Sequence, residues 1–179
     1  MSVLTPEVPV VSLDALLAAK DSRAARQADW LTHYQQPVIS LTLVTPGAVK
    51  DSIRYRNSMG VALQACDQLL WQQRWRVLDR QVLWLPTGPE ALWCVEHSAT
   101  EIKAHCAMLE QTHPLGRLWD LDVICPTLGP VGRKSLGNDM RRCLLCDEPA
   151  HACARSRRHP QDQVVSRVEK LIDDWFTRD

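Results

Sequence analysis

The spacing of apolar residues divides the chain into helical and extended segments. An apolar stripe at three- and four-residue spacing between Ser12 and Tyr34 predicts a leading helix within residues 1–36. Its members are Leu13, Leu16, Leu17, Ala24, Ala28 and Leu31. The β-branched, alternating run Pro37–Val44 then predicts a strand, which ends at Pro46-Gly47.

A second helix and a hairpin follow. The apolar residues from Met59 to Leu70 form one stripe, which predicts a second helix. Asp51 or Ser52 is suited to cap its N-terminus. The apolar segments on either side of Pro86-Thr87-Gly88-Pro89 then predict two antiparallel strands.

Ser98 and Glu101 form an S-x-x-E capping box, which predicts a third helix ending near Gln111. The run Arg117–Cys125 predicts the last strand. Residues 37–126 thus read strand, helix, strand, strand, helix, strand, which predicts an α+β fold with a ferredoxin-like βαββαβ antiparallel sheet. One sheet face is expected to be open, and a nucleotidyltransferase-like mixed sheet is the alternative.

Two appendages complete a chain that is predicted to be a single domain over residues 1–179. Residues 127–159 form a basic stretch with cysteines, expected to be a loop-rich cap. Residues 160–179 are predicted to be a C-terminal helix that begins at Pro160, because apolar residues from Val164 to Trp175 repeat every three or four positions.

The charge composition limits the classes of binding partner that the chain is expected to have. Twenty-one basic residues balance twenty-one acidic ones, so no global field attracts nucleic acid or a membrane. Between Val131 and His159, however, seven basic residues face three acidic ones, so a local anion site is expected there. The N-terminus lacks the pattern of a signal peptide and no segment has the length of a membrane span, which predicts a cytoplasmic protein with reduced cysteines.

Two aspartates stand one residue apart in the apolar run "HPLGRLWDLDV". In a strand, Asp120 and Asp122 point to the same face. Two such carboxylates are suited to bind Mg²⁺, whose coordination shell is usually completed by substrate phosphates. The alternative is an ordinary solvent-exposed strand face, because strand alternation alone also produces this pattern. Just upstream, Arg117 and the backbone of Gly116 are candidates to hold a phosphate.

A second constellation is a group of cysteines and histidines after the core. Cys143, Cys146 and Cys153, with His151 or His159 as the fourth ligand, are candidates for a zinc site. The alternative is a set of reduced thiols that pack the cap.

Basic and histidine side chains are further candidates for substrate contacts. Arg141, Arg142 and Arg155 are suited to bidentate phosphate contacts, although a solvated charged face is the alternative for such a cluster. Lys50, near a predicted helix start, is a candidate anion ligand or an ordinary surface lysine. His113 is a candidate base or phosphate donor, or a structural histidine.

The blocks "HPLGRLWDLDV" and "RRCLLCDEPAHACAR", with "KDS" at Lys50–Ser52, resemble the apo-citrate lyase phosphoribosyl-dephospho-CoA transferases. The resemblance covers most of the chain. It implies transfer of phosphoribosyl-dephospho-CoA from 2'-(5''-triphosphoribosyl)-3'-dephospho-CoA to a serine of the citrate lyase acyl carrier (gamma) subunit, with release of pyrophosphate.

The aspartate pair of the predicted strand motivates a hypothesis for the mechanism, in which Asp120 and Asp122 hold Mg²⁺ and Arg117 steadies the transferred phosphoryl group. Arg141 and Arg142 would grip a diphosphate, and His113 or a carboxylate would accept the serine proton. A third metal-binding carboxylate is not evident, and Glu96 on the neighbouring hairpin strand is the candidate. A non-catalytic zinc-braced module that binds an acidic carrier protein or nucleic acid, and a phosphodiester hydrolase, are the competing functions.

Overall fold

A computed structural model describes residues 9–137 and 140–178. Two single-turn 3-10 helices, Gly116–Leu118 and Arg133–Leu136, accompany the regular elements. These elements are α1 (Leu13–Tyr34), β1 (Val38–Leu43), α2 (Ile53–Gln72), β2 (Arg76–Leu85), β3 (Gly88–Glu96), α3 (Ala99–Thr112), β4 (Trp119–Cys125), β5 (Gly129–Pro130), α4 (Ala150–Ser156) and α5 (Gln161–Phe176).

The strands form one sheet in the order β2-β3-β1-β4-β5, and every pair within the described residues is antiparallel. The order of the first four is that of the ferredoxin-like arrangement, in which each helix crosses over one strand. The predicted α+β fold is therefore confirmed, and the mixed-sheet alternative is not what the described strands form. The short β5 was not predicted from the sequence.

One face of the sheet carries the apolar core. Trp93 and Trp119 are fully buried there, against α2 and α3. The C-terminal helix α5 adds Val168 and Ile172 to the same core, as its apolar stripe predicted. This layer of helices over a sheet buries enough large side chains to stabilise the fold by the hydrophobic effect.

The other face was expected to be open, and this expectation is wrong where α1 crosses it. Glu90 of β3 is buried there and bonds to Arg23 at 2.8 Å and to Arg26 at 2.5 Å. Gln27 donates to the Ser40 hydroxyl at 2.8 Å. The contact layer between α1 and the sheet is thus largely polar.

Only part of the apolar stripe predicted for α1 is protected from solvent, because Leu16 and Leu31 are half-buried but the other members are not. Leu13 and Leu17 are exposed, and so are Ala24 and Ala28, while the protected positions include the polar residues that meet the sheet. The helix itself was predicted correctly, with nearly the bounds that the structure shows. Ser12 accepts the backbone N–H of Ala15 as the N-cap.

Helix caps and strand ends differ in two places from the predictions. Ser52 caps α2, as expected, but the Ser98 side chain makes no capping bond. The Glu101 carboxylate pairs with His97. The last core strand begins at Trp119 and not at Arg117, since residues 116–118 form a 3-10 turn. Residues 127–159, which were predicted to form a loop-rich cap over the core, include the short helix α4.

No helix among the described residues has the length and apolarity needed to cross a membrane.

Candidate functional site

Alternation along β4 separates its side chains by chemistry. Trp119, Leu121 and Val123 are buried on the core face, so Asp120 and Asp122 emerge together on the opposite face. On that face Asp122 stands beside Ser40 and Asp120 beside Thr42 of β1. The two carboxylates are therefore neighbours on the polar face of the sheet.

Helix α3 completes the exposed edge of β4 with two charged side chains. Lys103 donates to the backbone carbonyl of Leu121 at 2.7 Å, and the N–H of Leu121 donates to Glu110 at 2.7 Å. Both side chains are buried, and they satisfy backbone groups that a neighbouring strand would otherwise pair. Because Lys103 and Glu110 are seven residues apart, they lie on the same side of the helix.

Arg141 ties the cap to this edge. Its guanidinium lies 2.5 Å from Asp120 Oδ1 and 2.9 Å from Glu110 Oε1, and it also donates to the carbonyl of Trp119. Arg133 pairs with the other oxygen of Glu110. Two arginines thus converge on one buried carboxylate, and one of them also holds the first aspartate of the pair.

The electrostatic environment differs between the site residues. Desolvation of the Asp122 carboxyl group by the surrounding protein raises its pKa, although part of the side chain is exposed. The negative charge of Asp120 raises this pKa further. Lys103, Arg141 and Arg23 lie close enough to oppose that shift. Burial lowers the pKa of Lys103, and nearby Asp122 counteracts this. The aspartate pair therefore sits among cations from α1, α3 and the cap.

Gly116 and Arg117, the candidates to hold a phosphate, lie in the 3-10 turn just before β4. The backbone N–H of Gly116 donates to the backbone carbonyl of His113 at 2.9 Å, so this N–H already has a partner within the turn. A Cβ at Gly116 would lie 2.5 Å from the carbonyl oxygen of Glu110, so the glycine is required by close packing on α3. The guanidinium of Arg117 donates to the carbonyl of Arg142 in the cap, with Nε at 3.0 Å.

His113 closes the end of α3 in a packed environment. Its ring lies against Trp119 and Trp175, with centroids 4.4 and 4.9 Å away, on the core side of β4. Its Nδ1 accepts the N–H of Leu115 at 3.0 Å, which assigns the proton of the neutral ring to Nε2. Burial lowers the pKa of His113, which favours that neutral form. This geometry favours a hydrogen-bond donor over a general base.

The remaining predicted basic ligands are dispersed. Lys50 lies in the loop before α2, where its ammonium donates to the carbonyl of Thr45 at 2.5 Å and burial lowers the pKa of its side chain. The Arg142 side chain is exposed and lies 3.8 Å from Asp147. Arg155 is exposed on α4 and makes none of the ion pairs found in the described part of the chain. Among these three, only the backbone of Arg142 is bonded to a residue of the site.

A cavity of about 460 Å³ opens beside Arg141. Its walls carry four arginines together with His113 and Glu110, and the full lining is Glu110, Gln111, Thr112, His113, Pro114, Arg117, Arg133, Met140, Arg141 and Arg142. An excess of guanidinium groups around a cavity is suited to a polyphosphate ligand, because each group offers a planar fork to two oxygens.

The third candidate carboxylate, Glu96, lies elsewhere. It stands opposite Arg76 beyond the far end of β1, whereas Asp120 pairs with Thr42 near the other end. Glu90 is the carboxylate that shares the face and the end of the sheet with Asp120. It was missed because its strand is apolar and its two arginine partners come from a distant helix.

Lys103 and Glu110 were also missed, although the sequence contained a signal. The positions 103, 107 and 110 of α3 follow helical spacing beside the apolar stripe of Ile102 and Cys106, so charged residues interrupt a surface that should be buried. Buried charges need partners, and here the partners are the edge of β4 and the arginines of the cap.

Three cysteines of the cap come together, and one of the two candidate histidines joins them. Cys143, Cys146, Cys153 and His159 each direct one ligand atom into a cluster in which all four atoms lie within 4.8 Å of one another. His151 is exposed on α4 and does not belong to this cluster, so His159 is the fourth member.

Fold and site together define an antiparallel α+β protein whose sheet carries a carboxylate pair, which Arg141 links to an arginine-lined cavity. A family model described as apo-citrate lyase phosphoribosyl-dephospho-CoA transferase matches residues 11–175. A curated protein of that name from Shigella flexneri serotype 5b (strain 8401) is 37% identical over 174 residues, which cover 96% of this chain and 95% of the relative. Another, from Escherichia coli O1:K1 / APEC, is 37% identical over 164 residues, or 92% of this chain and 90% of the relative.

The chain therefore belongs to the apo-citrate lyase phosphoribosyl-dephospho-CoA transferase family, and it is a transferase.

Proposed function

We propose that this transferase moves phosphoribosyl-dephospho-CoA from 2'-(5''-triphosphoribosyl)-3'-dephospho-CoA to a serine of the acyl carrier subunit of citrate lyase. The names of the matching relatives support the group and the apo-citrate lyase acceptor. The observation that carries the site assignment is the aspartate pair of β4, which Arg141 links to the arginine-lined cavity.

In the proposed step the serine oxygen forms a bond to the α-phosphorus of the triphosphate. The bond between that phosphorus and the bridging oxygen to the β-phosphorus breaks, and pyrophosphate leaves with the electron pair. The serine proton passes to a carboxylate of the site, because His113 already carries the proton on Nε2 in its neutral form. This is nucleotidyl-transfer chemistry that yields a phosphodiester.

The aspartate pair fits a magnesium ion. Asp120 keeps one carboxylate oxygen outside its ion pair with Arg141, and the charge of Asp120 raises the pKa of Asp122, which is a repulsion that a cation relieves. Magnesium held by Asp120 and Asp122 would offset negative charge on the polyphosphate. Glu90 is occupied by Arg23 and Arg26, so it supports the site indirectly.

The arginines of the cavity would bind the phosphate chain. Arg133 and Arg141 are held in place by Glu110, so their guanidinium groups have fixed positions in the cavity wall. Arg117 is oriented by the carbonyl of Arg142, and the Nε2–H of His113 would donate to a phosphate oxygen. Arg142 lines the same cavity and would also contact the phosphate chain, whereas Lys50 and Arg155 are assigned to the outer parts of the substrate or to the carrier.

The decisive test is the intact mass of the citrate lyase carrier subunit after incubation with this enzyme, the triphosphoribosyl precursor and Mg²⁺. We expect an increase equal to one phosphoribosyl-dephospho-CoA group, together with one pyrophosphate per modified carrier. A carrier with its acceptor serine replaced by alanine should stay unmodified. An unchanged wild-type carrier would contradict the proposal, and pyrophosphate release without any carrier would indicate a hydrolase.

The Asp120→Asn variant tests the site assignment. It keeps the shape of the side chain but removes a charge that faces Arg141 and the proposed metal, so we expect the transfer rate to fall by about 100-fold or more. Asp29→Asn, on the exposed side of α1, is the matched control and should keep the wild-type rate. An Asp120→Asn enzyme as fast as the control would remove this residue from the mechanism.

A non-catalytic binding module is the second candidate function, and the cysteine cluster of the cap is the observation that favours it. A zinc-braced cap is equally compatible with an enzyme, and the relatives are named as transferases. The carrier mass experiment separates the two functions, because a binding module leaves the carrier unmodified.

A further inference from the structure

Four side chains of the cap converge around one point. Cys146 Sγ lies 3.5 Å from Cys153 Sγ and 3.3 Å from His159 Nε2, and Cys143 Sγ lies within 4.8 Å of all three atoms. Cys153 is buried and the other three residues are half-buried. The cluster is thus partly shielded from solvent and lies outside the apolar core of the sheet.

The spacing of these atoms is that of ligands around a tetrahedral zinc ion. With Zn–S bonds of about 2.3 Å and Zn–N bonds of about 2.0 Å, the edges of the tetrahedron measure roughly 3.8 Å between sulfurs and about 3.5 Å between sulfur and nitrogen. The two contacts of Cys146 are close to these edges. Three cysteines and one histidine also form a common zinc ligand set.

The backbone of the cap builds this arrangement from distant positions. Cys143 and Cys146 share a tight turn in which the N–H of Leu145 points to Cys143 Sγ at 3.5 Å. A short hairpin closes behind the turn, because the N–H of Cys143 donates to the carbonyl of Glu148 at 2.7 Å. Arg157 then takes a left-handed conformation, with φ of 48°, which ends α4 and turns the chain toward His159.

We propose that Cys143, Cys146, Cys153 and His159 bind one structural Zn²⁺. Four protein ligands leave no open position for water or substrate, so the ion would brace the cap and take no part in the chemistry. Bound as thiolates, the three cysteines exceed the charge of Zn²⁺ by one, and this stretch of the chain is rich in arginine, which compensates the excess.

The brace has a consequence for the transferase site, and this consequence rests on the proposed function. Arg141 is two residues before the first zinc ligand, and its side chain holds Asp120 and Glu110. The carbonyl of Arg142, one residue before that ligand, accepts from Arg117. Zinc would therefore fix the position of the arginines that line the cavity, and its loss would slow transfer without removing a catalytic group.

Zinc content tests the site without any substrate. The full-length protein, purified from cells grown with added zinc and dialysed, should contain about one zinc per chain by elemental analysis. Replacing zinc with Co²⁺ should produce the intense visible bands of tetrahedral cobalt and a thiolate-to-cobalt charge-transfer band. A zinc content far below one per chain with no cobalt spectrum would overturn the proposal.

Variants identify the ligands. Cys143→Ser and His159→Ala should lose most of the zinc, and because both residues are only half-buried, far-UV circular dichroism should show that the folded core remains. Cys125→Ser and His151→Ala are the matched controls, since neither belongs to the cluster, and they should keep one zinc. Zinc retained by His159→Ala but lost from His151→Ala would refute the ligand set.

The competing state is a disulfide between Cys146 and Cys153, whose sulfurs lie close together. Intact mass under non-reducing conditions distinguishes it, because a disulfide makes the chain lighter by two hydrogens. A quantitative disulfide in freshly purified protein would contradict the zinc site. Since zinc content and mass are measured without the carrier or the precursor, failure of this proposal is separable from failure of the proposed reaction.

Discussion

The two faces of the sheet are built from the same strands, but one face is apolar and buried whereas the other carries charged side chains. On one face, large apolar side chains such as Trp93 and Trp119 meet α2, α3 and α5 with almost no exposed surface. On the other face, Glu90, Asp120 and Asp122 meet arginines from α1 and the cap. Strand alternation allows stability and charge-based chemistry to occupy adjacent residues, because neighbours point in opposite directions.

The contrast is sharpest in β4, where the largest expected effect is on activity. Asp122→Asn removes a charge from the polar face, and we expect the transfer rate measured on the carrier subunit to fall by about 100-fold or more. The melting temperature at neutral pH should not decrease, because the residue contributes no buried apolar surface. A large loss of stability with normal transfer would reverse the assignment of this face.

Leu121→Ala, one residue earlier on the core face, should do the opposite. Removing a fully buried leucine side chain leaves a cavity, so the free energy of unfolding is expected to fall by about 2–5 kcal/mol. Denaturant unfolding monitored by tryptophan fluorescence measures this change. At a temperature where the variant is still folded, its transfer rate should stay within a few-fold of wild type, and a 100-fold loss would mean that the two faces are not functionally separate.

Glu90 tests whether the polar layer under α1 also stabilises the fold. Glu90→Gln removes the buried negative charge that pairs with Arg23 and Arg26 and replaces one of the two acceptor oxygens with an NH2 group. A loss of about 2 kcal/mol in unfolding free energy is therefore expected. Glu96→Gln, at the exposed end of the same strand, removes only a surface pair with Arg76 and should change stability by about 0.5 kcal/mol or less. Equal effects of the two variants would show that burial of Glu90 is energetically unimportant.

The smallest expected effect is a pH dependence of stability on the polar face. The pKa of Asp122 is raised in the folded protein above its ordinary value of 3.8, so the folded state holds the proton more tightly than the unfolded chain. The resulting contribution to stability is present below the ordinary pKa and is lost as the pH rises through the folded pKa. Asp122→Asn, which never ionises, should therefore melt slightly higher than wild type at neutral pH.

Melting temperatures of the two proteins between about pH 4 and pH 7 provide the measurement. Their difference should shrink toward zero as the pH falls and Asp122 becomes protonated in the wild type. A difference that stays constant over this range would show that Asp122 titrates normally.

Periodicity was sufficient for the elements of the fold because it records burial directly. The stripe of α5, the caps Ser12 and Ser52, and the alternation of β4 each have a local cause that the sequence displays. The face of α1 was mispredicted because its packing surface is polar: Arg23, Arg26 and Gln27 bind partners on strands that the local sequence does not reveal. The spacing of apolar residues does not reveal a packing surface that is held together by ion pairs and polar hydrogen bonds.

By itself, the sequence determined the antiparallel α+β order, the shared face of Asp120 and Asp122, and the presence of a cysteine-rich basic cap. Only the tertiary structure decided which charges meet there. Arg141 reaches Asp120 across 21 positions, Glu90 pairs with arginines of α1, and His159 rather than His151 joins the cysteine cluster. The physical reason is that secondary structure follows from local periodicity, whereas the pairing of buried charges depends on which distant segments the fold brings together.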